Sequence, residues 1–247
     1  MMDKVLIVDD DFAVAQMLSK AMQSSAMDAV SANSGEEALQ RLQEESYDLI
    51  LMDINMPGMD GFQTVEAIRK IFNAERLEPW QEKYRDFFKL TFMLIGINVI
   101  DLCNLQTYEN GRVEYIRAKT HKPYSIKVET EANEIIQKYS GEKHLLNYLD
   151  TYKNYRSFYM NMCNGLKAIK QRLNDIDDGV TIKELTSYWA RHSWATIAAY
   201  LDIPKDTIAA ALGHGGNTVT DIYIEFDMRK VDEANRKVLD YVLYDKT

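Results

Sequence analysis

Between residues 188 and 223 the chain gathers side chains suited to work on a phosphorus centre. They run Tyr188-Trp-Ala-Arg191-His192-Ser-Trp194-Ala-Thr, then Leu212-Gly-His214, then Thr220-Asp-Ile-Tyr223. Breaking a phosphodiester without metal or water needs a nucleophile, positive charge on the non-bridging oxygens and a proton donor for the leaving oxygen. The stretch contains groups of each kind. A guanidinium such as that of Arg191 is planar and always charged, and its fork suits bidentate contact with phosphate. An imidazole can donate to the same oxygens, and a phenol can attack the phosphorus. A second set stands near the start, where Asp9, Asp10 and Asp53 each follow an apolar run. Clustered carboxylates suit Mg²⁺, a hard cation that takes oxygen ligands and keeps several waters. Taken singly, a tyrosine or histidine is packing or surface far more often than chemistry, so order and spacing carry the argument.

The elements that must hold these residues differ between the two ends. Val5 to Val8 is an apolar run ending in aspartates, the pattern of a buried parallel strand. Val14, Met17, Leu18 and Met22 follow at helical spacing, and Asp28 to Ser31 reads as a second strand. Ser34 precedes a helical pattern over 35–42 as its cap, Tyr47 to Met52 is a third strand, and Phe62 to Lys70 a third helix. Strand alternating with helix predicts a parallel α/β sheet with right-handed crossovers. Near residue 71 the texture changes to Glu75, Glu78, Trp80, Tyr84, Phe87 and Phe88, a long helical pattern. Two domains are therefore expected, residues 1–70 and 71–247. In the second, the apolar run Leu90 to Ile100 reads as a core helix. Val113 to Arg117 and Tyr124 to Val128 alternate and are joined by Lys119 to Pro123, a β-hairpin. Residues 130–175 read as helical, and the tyrosines between Tyr148 and Tyr159 as core packing in preference to a nucleic-acid stacking surface. Trp194, Ile197, Ala198 and Leu201 keep the rhythm of one buried helical face. Pro204 and Gly213 bracket the next helix, and Val231, Val238, Leu239 and Val242 mark a last amphipathic one.

The formal charge is −9, with 29 Lys and Arg against 38 Asp and Glu. Such a balance is wrong for a chain that binds nucleic acid through phosphate attraction along its whole length. Its distribution resolves the conflict, because residues 1–70 carry −8 and residues 71–247 only −1. Two cysteines, Cys103 and Cys163, are too few for a disulfide framework. No secretory leader precedes the folded sequence, and no apolar run approaches the roughly 18 residues of a membrane span. A cytoplasmic protein is expected, with no membrane partner.

The 188–223 stretch, with the chain from about residue 75 onward, resembles the catalytic domain of the tyrosine recombinases, the phage-integrase family. The nearest variety is the mobile-element integrases of Bacteroides-type bacteria. The resemblance implies a mainly helical α+β domain with a small β-hairpin and site-specific recombination of double-stranded DNA through a 3′-phosphotyrosyl intermediate, with no cofactor. It implies Tyr223 as nucleophile, Arg191 and His214 on the scissile phosphate, and Lys119 in the hairpin turn as general acid. Two positions depart from the family pattern. Its first arginine follows a glycine and one apolar residue, yet Gly96-Ile97 is followed here by Asn98, and Arg117 or Arg112, near the Lys119 turn, is expected to supply a guanidinium instead. Tyr188 stands where the commoner pattern has histidine, and its hydroxyl can still hydrogen-bond. The family places helical DNA-binding domains ahead of the catalytic part. Nothing here plays that role, so DNA binding is expected to be weak and strongly salt-sensitive, and self-association to lean on absent domains.

Lys4-Val-Leu-Ile-Val-Asp9-Asp10-Asp and Asp48-Leu-Ile-Leu-Met-Asp53-Ile-Asn55-Met-Pro57-Gly-Met-Asp-Gly resemble the first half of a response-regulator receiver. That resemblance implies a flavodoxin-like sheet cut to three parallel strands, with Asp53 as phosphoacceptor. It further implies Mg²⁺ held by Asp10, Asp53 and the Asn55 carbonyl with Asp9 in support, and a histidine kinase as partner if this part functions. The fourth and fifth strands, whose Ser or Thr and Lys sense the phosphoryl group, have no counterpart. The third strand is then an open edge, and the join reads as a fusion. The alternatives to recombination are a phosphorelay or interaction module and an inactive fusion.

Overall fold

The computed structural model describes residues 4–9, 12–24, 27–32, 37, 38, 41, 45, 47–52, 61–152, 154–176, 178–213 and 227–246. The chain forms two compact units, Met1–Asp60 and Gly61–Thr247. In the first unit, β1 (Lys4–Val8) lies between β2 (Asp28–Ala32) and β3 (Leu49–Met52), all parallel, and α1 (Phe12–Ser24) packs on the sheet. Why β1 is unbroken apolar sequence follows from its place. Val5 and Ile7 pack with Ala15, Leu18 and Met22, while Leu6 and Val8 face the other way onto Ala32, Ala38 and Tyr47. A strand covered on both faces has no polar positions to alternate with. Among the described residues β3 pairs with β1 alone, and Leu49 and Ile50 are 44% and 42% exposed, so β3 is an edge. Ser34 and most of the 35–42 pattern lie outside the described residues.

The second unit begins with α2 (Gly61–Phe72), whose buried stripe is Thr64, Val65, Ala67, Ile68, Ile71 and Phe72. The packing boundary thus precedes this helix, whereas the change of sequence texture follows it. Next come α3 (Pro79–Met93) and α4 (Val99–Cys103), then the antiparallel strands β4 (Tyr108–Glu109), β5 (Arg112–Ile116) and β6 (Pro123–Lys127). The chain continues with α5 (Thr130–Lys138), a 3₁₀ turn at Asn147–Leu149, α6 (Tyr155–Asn174), α7 (Ser187–Tyr200), α8 (Lys205–Ala211) and α9 (Met228–Tyr244). Helix α3 is the hub, packed by α5, α6 and α7, and α2 lies against α7. A capping box between Glu78 and Gln81, with Pro79 in the first turn, starts α3. No helix among the described residues is long and apolar enough to cross a membrane.

Three expectations need correction. The run Leu90 to Ile100 is not one core helix: α3 stops at Met93, Ile95 and Gly96 take φ of 57° and 65°, and Asn98 caps a new helix. Every residue from Leu90 to Ile97 is buried, so the turn is as apolar as a helix would be. Residues 130–175 are two helices joined by an irregular stretch in which Ser140 bridges to Leu146. The hairpin carries a third strand, β4, of only two residues.

Candidate phosphate-handling site

Helix α7 presents Arg191, and polar contacts fix that helix more tightly than propensity can. The Thr186 hydroxyl accepts the Trp189 amide at 3.1 Å as N-cap. Three residues beyond Arg191, the Trp194 indole donates to the buried Asn235 of α9 at 2.9 Å, and Asn235 in turn donates to the Met93 carbonyl at 3.0 Å. One amide side chain thereby ties α3, α7 and α9 together, with Trp194, Ile197 and Ala198 fully buried beneath. On the other side of Arg191 the left-handed turn closes in. A Cβ on Gly96 would lie 2.3 Å from the Arg191 Cα, so only glycine fits that approach.

The Arg191 guanidinium donates to the Gly96 carbonyl at 3.2 Å and to the Leu212 carbonyl. Leu212 also accepts from the Tyr124 hydroxyl at 3.3 Å, and that hydroxyl accepts from Arg117 Nη1 at 3.3 Å. Arg117 lies over the Tyr124 ring, 5.8 Å from its centroid, and Tyr124 stacks on Tyr115 at 5.4 Å. Two guanidiniums, one from the hairpin and one from α7, are thus joined through one phenol and one backbone carbonyl. Burial first, and then the neighbouring charge of Arg117, push the Arg191 pKa down, although a guanidinium stays cationic at any working pH. Among the described residues the partners of these two guanidiniums are a phenol and two carbonyls, with no carboxylate. Unneutralised, partly buried positive charge of this kind favours an anion.

The hairpin turn is pinned from below. The buried Asp101 carboxylate accepts the Ala118 amide at 2.9 Å, while Arg117 and His121 close the turn through their backbone groups. Lys119 stands exposed at the tip, two residues from Arg117. Of the two arginines expected to replace the missing one, Arg112 is engaged elsewhere, donating to Asp232 at 2.7 Å and to Ser125. Arg117 is the one beside Arg191. Tyr188, one turn ahead of Arg191, is 75% exposed. Asn98 spends its side-chain oxygen on the Ile100 amide. His214 and Tyr223 lie outside the described residues, which resume at Asp227. Leu212 and Gly213, the last described before His214, are the point where the tyrosine of β6 and the arginine of α7 meet.

In the first unit Asp9 sits at the carboxyl end of β1, nearly buried, its amide donating to the Ala32 carbonyl at 3.1 Å. Asp10, Asp53 and Asn55 lie outside the described residues. Among the described residues no group of three or more His, Cys, Asp or Glu is arranged to hold a metal.

Residues 5–76 match the family described as Response regulator receiver domain. The chain is 44% identical over 73 residues to the transcriptional regulatory protein CpxR homolog of Haemophilus influenzae, covering 30% of this chain and 32% of that protein. It is 32% identical over 142 residues to hybrid signal transduction histidine kinase L of Dictyostelium discoideum, covering 56% of this chain and 7% of that one. It is 34% identical over 67 residues to the alkaline phosphatase synthesis transcriptional regulatory protein PhoP of Bacillus subtilis, covering 27% and 28%. The chain therefore spans about a third or less of the length of these relatives. A solved structure of the XerH site-specific recombinase bound to difH substrate aligns with 97% of this chain and 71% of its own, at a TM-score of 0.43 and 15% identity. So distant a likeness carries no argument here.

Sequence reasoning passed over Asp101, Tyr124 and the carbonyl of Leu212. Asp101 had a signal, a carboxylate closing an apolar run. Tyr124 had a weaker one, the directly opposed pair Tyr115 and Tyr124 on a short hairpin. A backbone carbonyl has none.

Proposed function

We propose that residues 61–247 form a DNA strand-transfer domain of the tyrosine-recombinase kind. The single observation that carries this reading is the meeting of Arg117 and Arg191 through Tyr124 and the Leu212 carbonyl, which in the sequence stands two residues before His214. In the proposed reaction the Tyr223 oxygen attacks the phosphorus, a phosphorus–oxygen bond to tyrosine forms, and the bond to the 5′ oxygen breaks. The phenol gives its proton to solvent, and Lys119 protonates the leaving 5′ oxygen. Arg191, Arg117 and His214 stabilise the charge that grows on the non-bridging oxygens. The test is a nicked suicide duplex. Covalent capture of DNA, lost in Tyr223→Phe, supports the reading, and no capture by the wild-type chain overturns it. Double-stranded DNA is bound weakly and with strong salt dependence, because the second unit is close to neutral and the acidic first unit repels phosphate. A nanomolar Kd at physiological salt by fluorescence anisotropy contradicts that part.

A second reading concerns the first unit and is favoured by the family match over residues 5–76. Asp53 would accept a phosphoryl group from a histidine kinase, with Mg²⁺ held by Asp10, Asp53 and the Asn55 carbonyl and Asp9 in support. The metal would neutralise charge on the transferring phosphoryl oxygens. Among the described residues no strand of this unit follows β3 to supply a sensor for the phosphoryl group, so phosphorylation is expected to leave the second unit's activity unchanged. Acetyl phosphate with Mg²⁺ tests both points, through acid-labile labelling of Asp53 and through the rate of DNA capture.

A further inference from the structure

We infer that Tyr124 is the positioning residue that sets the spacing of the two guanidiniums for a phosphodiester, an inference that rests on the strand-transfer reading and deepens it. Its hydroxyl is used twice, donating to the Leu212 carbonyl and accepting from Arg117, each at 3.3 Å. Arg191 shares that carbonyl. The phenol is therefore the only side chain among the described residues that touches both the Arg117 head and the acceptor that holds Arg191. Without it nothing among the described side chains ties the two like charges together, and the positive charge of Arg117 is, after burial, what lowers the Arg191 pKa.

Tyr124 is itself held. Its ring stacks on Tyr115, directly opposite in the strand register, at an interplanar angle of 24°. Its hydroxyl occupies the position that a side chain at residue 213 would need, 1.2 Å from an ideal Cβ on Gly213, whose φ is +67°. Glycine at 213 thus serves to admit the phenol, and the phenol places the hairpin on the end of α8. Among the described residues, donors remain there for phosphate oxygens to meet. Arg191 commits two donations to carbonyls and Arg117 one to the phenol, out of the five that each fork carries.

The substitution that isolates the hydroxyl is Tyr124→Phe, which keeps the ring. Covalent capture of a nicked duplex is timed at saturating DNA for the wild type, Tyr124→Phe, Arg117→Ala and the double variant, with Kd measured in parallel. Tyr124→Phe is expected to slow capture by about fivefold to tenfold, the loss of one net hydrogen bond, with Kd changed less than about twofold. In the double variant capture is expected to be no slower than in Arg117→Ala alone, because both changes break one linkage. A wild-type rate in Tyr124→Phe, or independent slowing in the double variant, overturns the inference. Should the wild-type chain capture no DNA, the strand-transfer reading fails, and Tyr124 is judged by phenylglyoxal labelling followed by peptide mass spectrometry. Arg117 is then expected to label several-fold faster in Tyr124→Phe than in the wild type, and equal labelling overturns the positioning role.

Discussion

Two tyrosine clusters in the second unit look alike by geometry and differ in what they do with charge. Around α3 and α6, Tyr139 stacks on Tyr148 at 5.1 Å and Lys83 lies 5.6 Å from the Tyr148 centroid. On the hairpin, Tyr115 stacks on Tyr124 at 5.4 Å and Arg117 lies 5.8 Å from the Tyr124 centroid. The first cluster contains its own anion. Asp86 is nearly buried and accepts from Lys138 at 2.7 Å, Arg85 at 2.8 Å and the Tyr139 hydroxyl at 3.0 Å. In the second, the described partners of Arg117 and Arg191 are a phenol and two carbonyls. Stacked rings and overlying cations are thus poor guides to function. A counter-charge missing among the described residues is the better one, because a buried cation without an anion has a standing demand that a ligand can meet.

The largest effect should come from emptying the first cluster. Phe158 is fully buried against Phe87, Tyr148 and Tyr152. Phe158→Ala is expected to destabilise by about 3–5 kcal/mol, the range for truncating a core phenylalanine. Urea unfolding measures it, and DNA capture by the fraction that remains folded should match the wild type. A loss of only a few tenths of a kcal/mol would remove the assignment of these aromatics to the core.

Next in size is Gly96→Ala, which acts on the second cluster through its backbone. The new methyl meets Arg191 Cα at 2.3 Å, and φ of +65° is unfavourable for alanine. Strain plus overpacking predicts a loss of about 2–4 kcal/mol. Here capture should fall faster than the folded fraction, because the change displaces Arg191 itself. If the two fall together, Gly96 serves stability alone.

These two sites show what could be read from sequence. The three parallel strands, the hairpin and the buried face of α7 were legible because each imposes an apolar run, a period or a turn on the residue pattern. The turn at residues 94–97 was not, since burial on all sides makes turn and helix equally apolar. At the site, Arg191 could be found by its motif and Arg117 by its closeness to the Lys119 turn. The linkage between them could not, because it runs through a main-chain carbonyl and a tyrosine whose neighbours are set by tertiary packing.

Asp86→Asn tests the self-neutralised character of the first cluster. Burial alone would raise the Asp86 pKa, but hydrogen bonds from Lys138 and Arg85, the charge of Arg85 and a hydrogen bond from Tyr139 more than offset it and hold the carboxyl below its ordinary range. A depressed carboxylate contributes stability above the unfolded value, roughly 3.9, and loses it as pH falls through the folded value. The wild type should therefore exceed Asp86→Asn by about 2 kcal/mol at neutral pH. That gap should narrow as the pH drops below about 4. A gap independent of pH from 7 to about 3 would mean that the ion cluster adds no charge-dependent stability.

The smallest effect, and the sharpest contrast, comes from making in the first cluster the substitution already described for Tyr124. The Tyr148 hydroxyl is fully buried and has no hydrogen-bond partner among the described residues, and burial pushes its pKa far up. Deleting an unsatisfied buried polar group recovers part of its desolvation cost, while the ring keeps its edge contact with Phe87 at 4.9 Å and its stack on Tyr139. Tyr148→Phe is therefore expected to leave stability unchanged or raise it by up to about 1 kcal/mol, with DNA capture unaltered. One oxygen atom removed from each of two stacked pairs then gives opposite results: a slower reaction on the hairpin, and no kinetic change in the core. If Tyr148→Phe slows capture as Tyr124→Phe does, hydroxyls throughout the unit act through general rigidity, and the charge balance that separates the two clusters no longer explains the chemistry.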